Sequence, residues 1–411
     1  MNTLNWYYNR LKCMSFPEIL FRFYSLLLIY IQKAGCAMAF NPPALTANGS
    51  SQSFFTHFSC GQAVFKEAEK SLKGDLTIFG LNCAYGNSMP IWNRDPQTKT
   101  DAPLIFGKLL DYKNESLVGN IKYLWEPSRH IHLVNLAVCY ASSKDKQYLN
   151  CLKTLLDSWF SQCTYPLGAQ WSSSLELGIR LVNWSIIWGL IGADQSMLFQ
   201  GEDGKKFKGK WLDFIYQHVH FIDGYYSRYS SANNHLIGEA SGVYIATKTW
   251  PLWSDFNKRG RKAKNILQRE AVNQNYADGV NKEQAISYQQ FVLDFLIIAY
   301  LVGEQCNDKF SQAYIDNIEK MLEYIQSLMD ISGNLPMIGD ADDGYLFRLD
   351  WSPDYSPYQS LLATGAIIFK RGDFKYSSKG LDDKTKLLLG SNVVEEFSYI
   401  ASTPPSYDCK S

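Results

Sequence analysis

Leu149, Leu152, Leu156, Trp159 and Phe160 recur at three- and four-residue intervals, the spacing of one face of an α-helix. Residues 173–192, SSLELGIRLVNWSIIWGLIG, are apolar nearly all round, which predicts a helix buried on every side. Further helices are predicted near 207–222, 233–249, 256–273, 282–303 and 308–330. The joins are short and carry Gly, Pro, Ser or Asp. Helices joined this way lie antiparallel to their neighbours, and a series of such hairpins closes into an α/α toroid. No internal repeat points to a solenoid of identical units.

The flanks read differently. Residues 37–110 are rich in Pro, Asn, Ser and Gly and read as irregular, with short strand-like pieces such as DLTIFG at 75–80. The stretch 16–35, FPEILFRFYSLLLIYIQKAG, is interrupted by Glu18 and Arg22, and its clean run Leu26 to Ile31 is too short to span a bilayer. It reads as an amphipathic helix docked on the body, and as a candidate for contact with a membrane surface. It makes no clear signal peptide. After residue 331 the helical pattern stops. SGNLPMIGDADDG (332–344) is turn chemistry, and GAIIFKRGDFKYS (365–377) and TKLLLG (385–390) read as strands. The expected division is 1–110, an N-terminal helix and irregular segment; 111–345, the toroid with the active site; and 346–411, the truncated start of a β-sandwich. The fold class is mainly α, an incomplete α/α barrel followed by the start of an antiparallel β domain. The residues beyond the helices are too few for a substantial β domain, so the chain is expected to stop where one begins.

With 411 residues, 46% of them hydrophobic, the chain can bury a full core. Lys plus Arg equals Asp plus Glu, 40 each, so no net field draws the whole protein onto nucleic acid or an anionic membrane. The one dense basic run, GKKFKGK at 204–210, reads as a solvated helix start. Aromatic residues make up 15%, a surplus that suits the lining of a sugar cleft as well as helix packing. Nine cysteines are scattered singly without a CxxC, which points to reduced thiols and a cytoplasmic location.

Five stretches could carry chemistry. WEPSRHIHL (125–133) holds Trp125, Glu126, Arg129, His130 and His132. WSSSLELGIRLVNW (171–184) holds Glu176 and Arg180, four apart and so on one helix face, as an ion pair or as a cleft floor. SSANNHLIGEASG (230–242) sets Asn233, Asn234 and His235 at the head of an apolar helix, either as a cap or aimed into a cleft. YADGVNKEQAISYQQF (276–291) places Asn281 and Gln284 in a capping arrangement before Tyr288, whose ring belongs to the core or whose hydroxyl reaches a cleft. GDADDG (339–344) lacks the ligand pattern of a calcium loop. His130-x-His132 and His218-x-His220 sit in or at predicted helices, where i and i+2 diverge, so no metal is expected, and no nucleotide or GxSxG motif is present.

In this order, NWYYNRLKCMSFPEILFRF, WEPSRHIHLVNLA, WSSSLELGIRLVNW, SSANNHLIGEASG, DGVNKEQAISYQQF and GNLPMIGDADDG resemble the heparinase II/III-like family of polysaccharide lyases and its alginate-lyase relatives. The resemblance covers residues 4 to 350. It implies an α/α toroid followed by an antiparallel β-sandwich, β-elimination on uronic-acid polysaccharides, an acidic polysaccharide as partner, and a cell-envelope or periplasmic location. Asn234 and His235 match the element beside the uronate carboxylate, and Tyr288 matches the catalytic tyrosine. A further His or Tyr drawn from near the sheet domain has no match here, since His235 is the last histidine. Asn233, Arg129, Trp125, Trp171, Glu176, Arg180 and Glu239 are the candidates for substrate binding.

The chemistry is consistent with that implication. The C5 proton of a uronate is weakly acidic, and neutralising the adjacent carboxylate stabilises the enolate-like intermediate. Asn234 and His235 can donate to it. Arg129 or Arg180 nearby would lower the phenol pKa of Tyr288 from its usual value of about 10, making it a base that later passes a proton to the leaving oxygen. Trp125 and Trp171 offer flat faces to sugar rings. No metal or cofactor is needed. Two rivals remain: a glycoside hydrolase using Glu176 and Glu239 as its two carboxylates, and a glycan-binding protein without activity.

Overall fold

The computed structural model describes residues 9–47, 49–56, 60–340, 344–390 and 392–406. Helix α1 (Phe16–Lys33) starts where Ser15 caps Glu18 N and Pro17 occupies the first turn, and α2 (Gln62–Leu72) follows in the stretch that read as irregular. The buried side chains of α2 are Val64, Ala68 and Ser71. Strands β1 (Asp75–Ile78) and β2 (Leu81–Ala84) pair antiparallel with Ile78 opposite Leu81. The turn between them, Phe79-Gly80, takes positive φ at both residues (48° and 79°), the handedness that matches strand twist. Short helices α3 (Glu115–Val118) and α4 (Ile121–Ser128) lead into the body.

The body alternates two kinds of helix. Helices α5 (Ile131–Ser143), α7 (Ser174–Leu190), α9 (Asn234–Thr249), α11 (Ile286–Gln305) and α13 (Pro357–Phe369) are buried over most of their length, α7 at every residue. Between them, α6 (Lys146–Gln162), α8 (Gly201–Gly224), α10 (Phe256–Asn273) and α12 (Gln312–Leu328) bury one face and expose the other. The buried set packs in sequence, α5 on α7, α7 on α9, α9 on α11 and α11 on α13. This is an α/α toroid with an inner and an outer row. Successive helices run antiparallel, so the inner helices run parallel and begin at the same end.

The tightest inner contact is α7 against α9. A Cβ on Gly178 would stand 2.6 Å from the Gly238 carbonyl oxygen, and one on Gly242 would stand 2.4 Å from the Gly178 Cα. Both obstacles are backbone and cannot rotate away. Gly178→Ala is therefore expected to destabilise the protein by about 1–3 kcal/mol through overpacking, read as a lowered urea midpoint. An unchanged midpoint would mean that the two helices are not held at this distance.

The C-terminal segment departs from expectation. Residues 365–377 and 385–390, which read as strands, lie in helices: α13, α14 (Gly372–Ser378) and α15 (Asp383–Leu389), followed by α16 (Val393–Tyr399). No strand occurs among the described residues of 346–406. The apolar run at 365–369 is too short for periodicity to separate strand from buried helix, and the Ser356 cap with Pro357 in the first turn settles it as helix. Leu361, Leu362 and Ala366 join the main core, and the buried Lys384 on α15 pairs with the buried Asp294 on α11. The described part of this segment thus packs on the toroid as helices. Helix α11 also begins at Ile286, later than the predicted 282, because Gln284 adopts a left-handed conformation (φ 55°) and Asn281 is used inside the preceding turn.

Candidate functional site

A cavity of about 200 Å³ opens where the inner helices begin. The first turn of α7 supplies Leu175 and Glu176, that of α9 supplies Asn234 and His235, and that of α11 supplies Ser287 and Tyr288. Helix α4 contributes Lys122, Trp125 and Glu126, with Arg129 as its C-cap, a spacing that aligns them on one face. Phe79, at the hairpin tip, closes one side.

Each helix start carries a partial positive charge on its unsatisfied N–H groups. The cap residues of α7 and α11, Ser173 and Ala285, make no side-chain cap bond to the first turn. Alanine is among the poorer caps, so α11 begins without the oxygen that most helices place there. The starts of α7 and α11 therefore aim positive ends at the cavity, an arrangement suited to an anion, whereas the start of α9 is already met by Asn233 and the Glu283 carboxylate.

The charged side chains nearly cancel. Arg129 grips Glu176 with two parallel bonds, Nε to Oε2 and Nη2 to Oε1, both 2.8 Å, and reaches Glu126 through Nη1 at 2.9 Å. Only 3% of the Glu176 side chain and 12% of that of Arg129 is exposed. Glu176 pairs with Arg129, not with Arg180 as its four-residue spacing suggested.

Arg180 lies beneath the cavity. Its Nε donates to the Ser128 carbonyl at 2.7 Å, its Nη1 donates to His218 at 2.8 Å, and the guanidinium lies 4.6 Å from the Trp159 ring centre. Burial pulls its pKa down to about 10. The His218 Nδ1 must donate to the Phe214 carbonyl at 2.7 Å, so its Nε2 accepts from Arg180. Arg180 thus braces the end of α4 from behind and touches no ligand space. The cations that the sequence offered to Tyr288 are both engaged, Arg129 by two carboxylates and Arg180 in the core.

Two more candidates also leave the site. Trp171 is fully buried, its Nε1 on the Cys163 carbonyl at 3.0 Å. Glu239 is buried, accepts from Ser227 N and Oγ at 2.7 Å each, and is pushed up to about 7 by burial. Trp125 does line the cavity, anchored by Nε1 on the Ala169 carbonyl at 3.1 Å.

Asn233 is the N-cap of α9, its side chain accepting from His235 N at 3.1 Å. The cap frees the next two residues to face the cavity. Asn234 is held by Glu283, which accepts from Asn234 N at 2.9 Å and from its Nδ2 at 3.0 and 2.8 Å. A carboxylate only accepts, so the amide orientation is fixed with Nδ2 toward Glu283. Glu283 was not among the candidates; as the only carboxylate in NKEQAIS it offered a weak signal. Glu283→Ala should release the Asn234 side chain. A hydrogen bond to a charged group contributes about 1.5–3 kcal/mol to stability, so the urea midpoint of Glu283→Ala is expected to fall accordingly, with Glu283→Gln retaining most of the stability. Equal midpoints in both variants and wild type would mean that Glu283 does not hold Asn234. The Tyr288 hydroxyl lies 3.4 Å from the Asp340 carboxylate, and Ser287 Oγ donates to the Asp340 carbonyl at 2.7 Å, so Asp340 and Gly344 edge the site.

Comparison with known proteins bears on this arrangement. Residues 85–348 match the family described as Heparinase II/III N-terminus. A curated heparin-sulfate lyase of Pedobacter heparinus is 26% identical over 160 residues, 38% of this chain and 23% of that protein. A solved structure of Heparinase III superposes with a TM-score of 0.57 at 15% identity, over 93% of this chain and 53% of its own. A mutant heparan sulfate lyase from Pedobacter heparinus gives 0.53 at 17% identity, over 95% and 52%. At this identity the likeness establishes the fold. The chain spans about half the length of these solved structures.

Proposed function

The chain belongs to the heparinase II/III family through its N-terminal domain, and on that premise we propose that it cleaves a uronic-acid-containing polysaccharide by β-elimination. The observation that carries this reading is the cavity in which Tyr288, His235 and Asn234 meet at the starts of parallel inner helices. In the proposed step, Tyr288 acts as the phenolate, its own proton having first passed to solvent, and takes the C5 proton of the uronate to become the hydroxyl. The electron pair of that C–H bond forms the C4–C5 double bond, and the C4–O bond breaks. The leaving oxygen takes a proton, with the Tyr288 hydroxyl as donor.

Negative charge gathers on the uronate carboxylate as the proton leaves. The helix starts and His235 are the groups available to meet it. Each helix end contributes about 0.3–1 kcal/mol, up to about 2 when partly buried, so the starts of α7 and α11 together approach one oxyanion-hole donor at about 2.7–4 kcal/mol only when partly buried. The hydrolase alternative is disfavoured by position: Glu239 lies in the core, and Glu126 and Glu176 are both bound to one arginine.

Lys122 and Arg129 stand against Glu126 and Glu176 around the cavity. A heavily sulfated chain would meet carboxylates without surplus cations to match it. An unsulfated uronan is therefore expected to be turned over roughly tenfold faster than heparin at equal concentration, followed by near-ultraviolet absorbance of the unsaturated end. Faster turnover of heparin would contradict the charge argument while leaving elimination itself in place. Absence of unsaturated product from every uronan tried would reject the lyase reading.

A further inference from the structure

We propose that α1 binds the surface of an anionic lipid bilayer. The helix is docked inside out. Its inward side carries Glu18, Arg22, Ser25 and Gln32. Glu18 accepts from Arg22 at 2.9 Å and from Ser230 Oγ at 2.5 Å, and the Tyr225 hydroxyl donates to the Gln32 side chain at 2.6 Å. Its outward side is apolar. Phe16, Leu20, Phe23, Tyr24, Leu27 and Tyr30 are each 49% exposed or more and, at 100° per residue, fall within one arc of the helix. No charged side chain interrupts that arc.

Soluble helices place such a stripe against the core, so this one calls for a covering phase. Three features select lipid. First, charge is lopsided here although the whole chain is balanced: residues 1–60 hold Arg10, Lys12, Arg22 and Lys33 against the single carboxylate Glu18, a net charge of +3. Arg10, Lys12 and Lys33 are exposed at the two ends of the stripe, where they would lie at headgroup level beside an embedded apolar face. Second, Tyr24 and Tyr30 are amphipathic rings of the kind favoured at a lipid–water boundary. Third, pairing with a second copy would bring basic ends against basic ends in either direction, with the only carboxylate already buried. Helix α11, the one helix among the described residues long and apolar enough to cross a membrane, is 83% buried in the body and is not the contact surface.

The helix also braces the approach to the site. Arg22 Nη2 donates to Ser230 and Ser231 at 2.9 and 3.4 Å, just ahead of Asn233. Docking α1 on lipid would hold the cavity close to a bilayer surface, within reach of glycans attached there.

The test is flotation of the full-length protein with vesicles of phosphatidylcholine alone or mixed with phosphatidylglycerol. The wild type is expected to float with the anionic vesicles, less with the neutral ones, and less again at high salt. A double variant, Phe23→Ser with Leu27→Ser, removes only outward side chains. It should keep its circular dichroism and lose affinity roughly tenfold or more. Wild type that stays with the soluble fraction overturns the proposal, as does undiminished flotation of the double variant. A concentration-dependent dimer in light scattering with no vesicle binding would instead assign the stripe to a second copy.

Discussion

Tyr288→Phe is expected to lower the rate of unsaturated-product formation by about 10²–10⁴-fold and to leave the fold intact. The substitution deletes one oxygen. The hydroxyl's hydrogen bond to the Asp340 carboxylate is long, at 3.4 Å, and exposed, so losing that bond costs little stability. The ring remains beside Phe291 and Ser287 in the cavity wall. A steady-state rate measured alongside circular dichroism separates the two effects. A rate close to wild type would show that another group moves the proton.

Arg129→Ala should act in the opposite manner, damaging the fold as well as the site. Among the described residues Arg129 is the cation hydrogen-bonded to Glu176, whose side chain is only 3% exposed. Removing one partner of a buried pair leaves an uncompensated charge and costs about 3–5 kcal/mol. Chemical denaturation should show a loss of that size together with lost activity. Replacing both residues, Arg129→Met with Glu176→Met, should restore much of the stability, because two buried charges are then desolvated in neither state. It should not restore activity. A stable Arg129→Ala variant would mean that Glu176 takes up its charge by other means.

The toroid was legible because its two kinds of helix leave different patterns. Residues 173–192 are apolar all round since α7 is an inner helix, whereas Leu149, Leu152, Leu156, Trp159 and Phe160 form one stripe since α6 is an outer one. The same property hid part of the site. In a helix buried on every side, periodicity carries no direction. Spacing alone therefore could not tell that Glu176 faces the cavity while Arg180, one turn later, faces the core. Glu239, on the buried α9, was misplaced for the same reason, whereas Trp171 lies in the short turn Ala169–Trp171, which has no periodicity to read. Glu283 escaped because a turn residue has no periodic partner, and its role appears only once Asn234 is seen on its carboxylate. The helices after residue 356 were hidden by short apolar runs whose secondary structure depends on the core they enter.

The placement of Asn234, His235 and Tyr288 in first turns has a physical consequence. Residues at helix starts share the direction of the inner helices, so one packing arrangement positions all of them. Sequence distance between the two segments becomes irrelevant once the inner row is formed.

Elimination and hydrolysis differ in whether water enters the product, and mass spectrometry of oligosaccharides formed from an unsulfated uronan in ¹⁸O-labelled water decides between them. Elimination gives fragments whose new non-reducing end is lighter by one water than a hydrolytic fragment and which take no label during cleavage. Fragments carrying ¹⁸O from bond cleavage, with a saturated end, would contradict it.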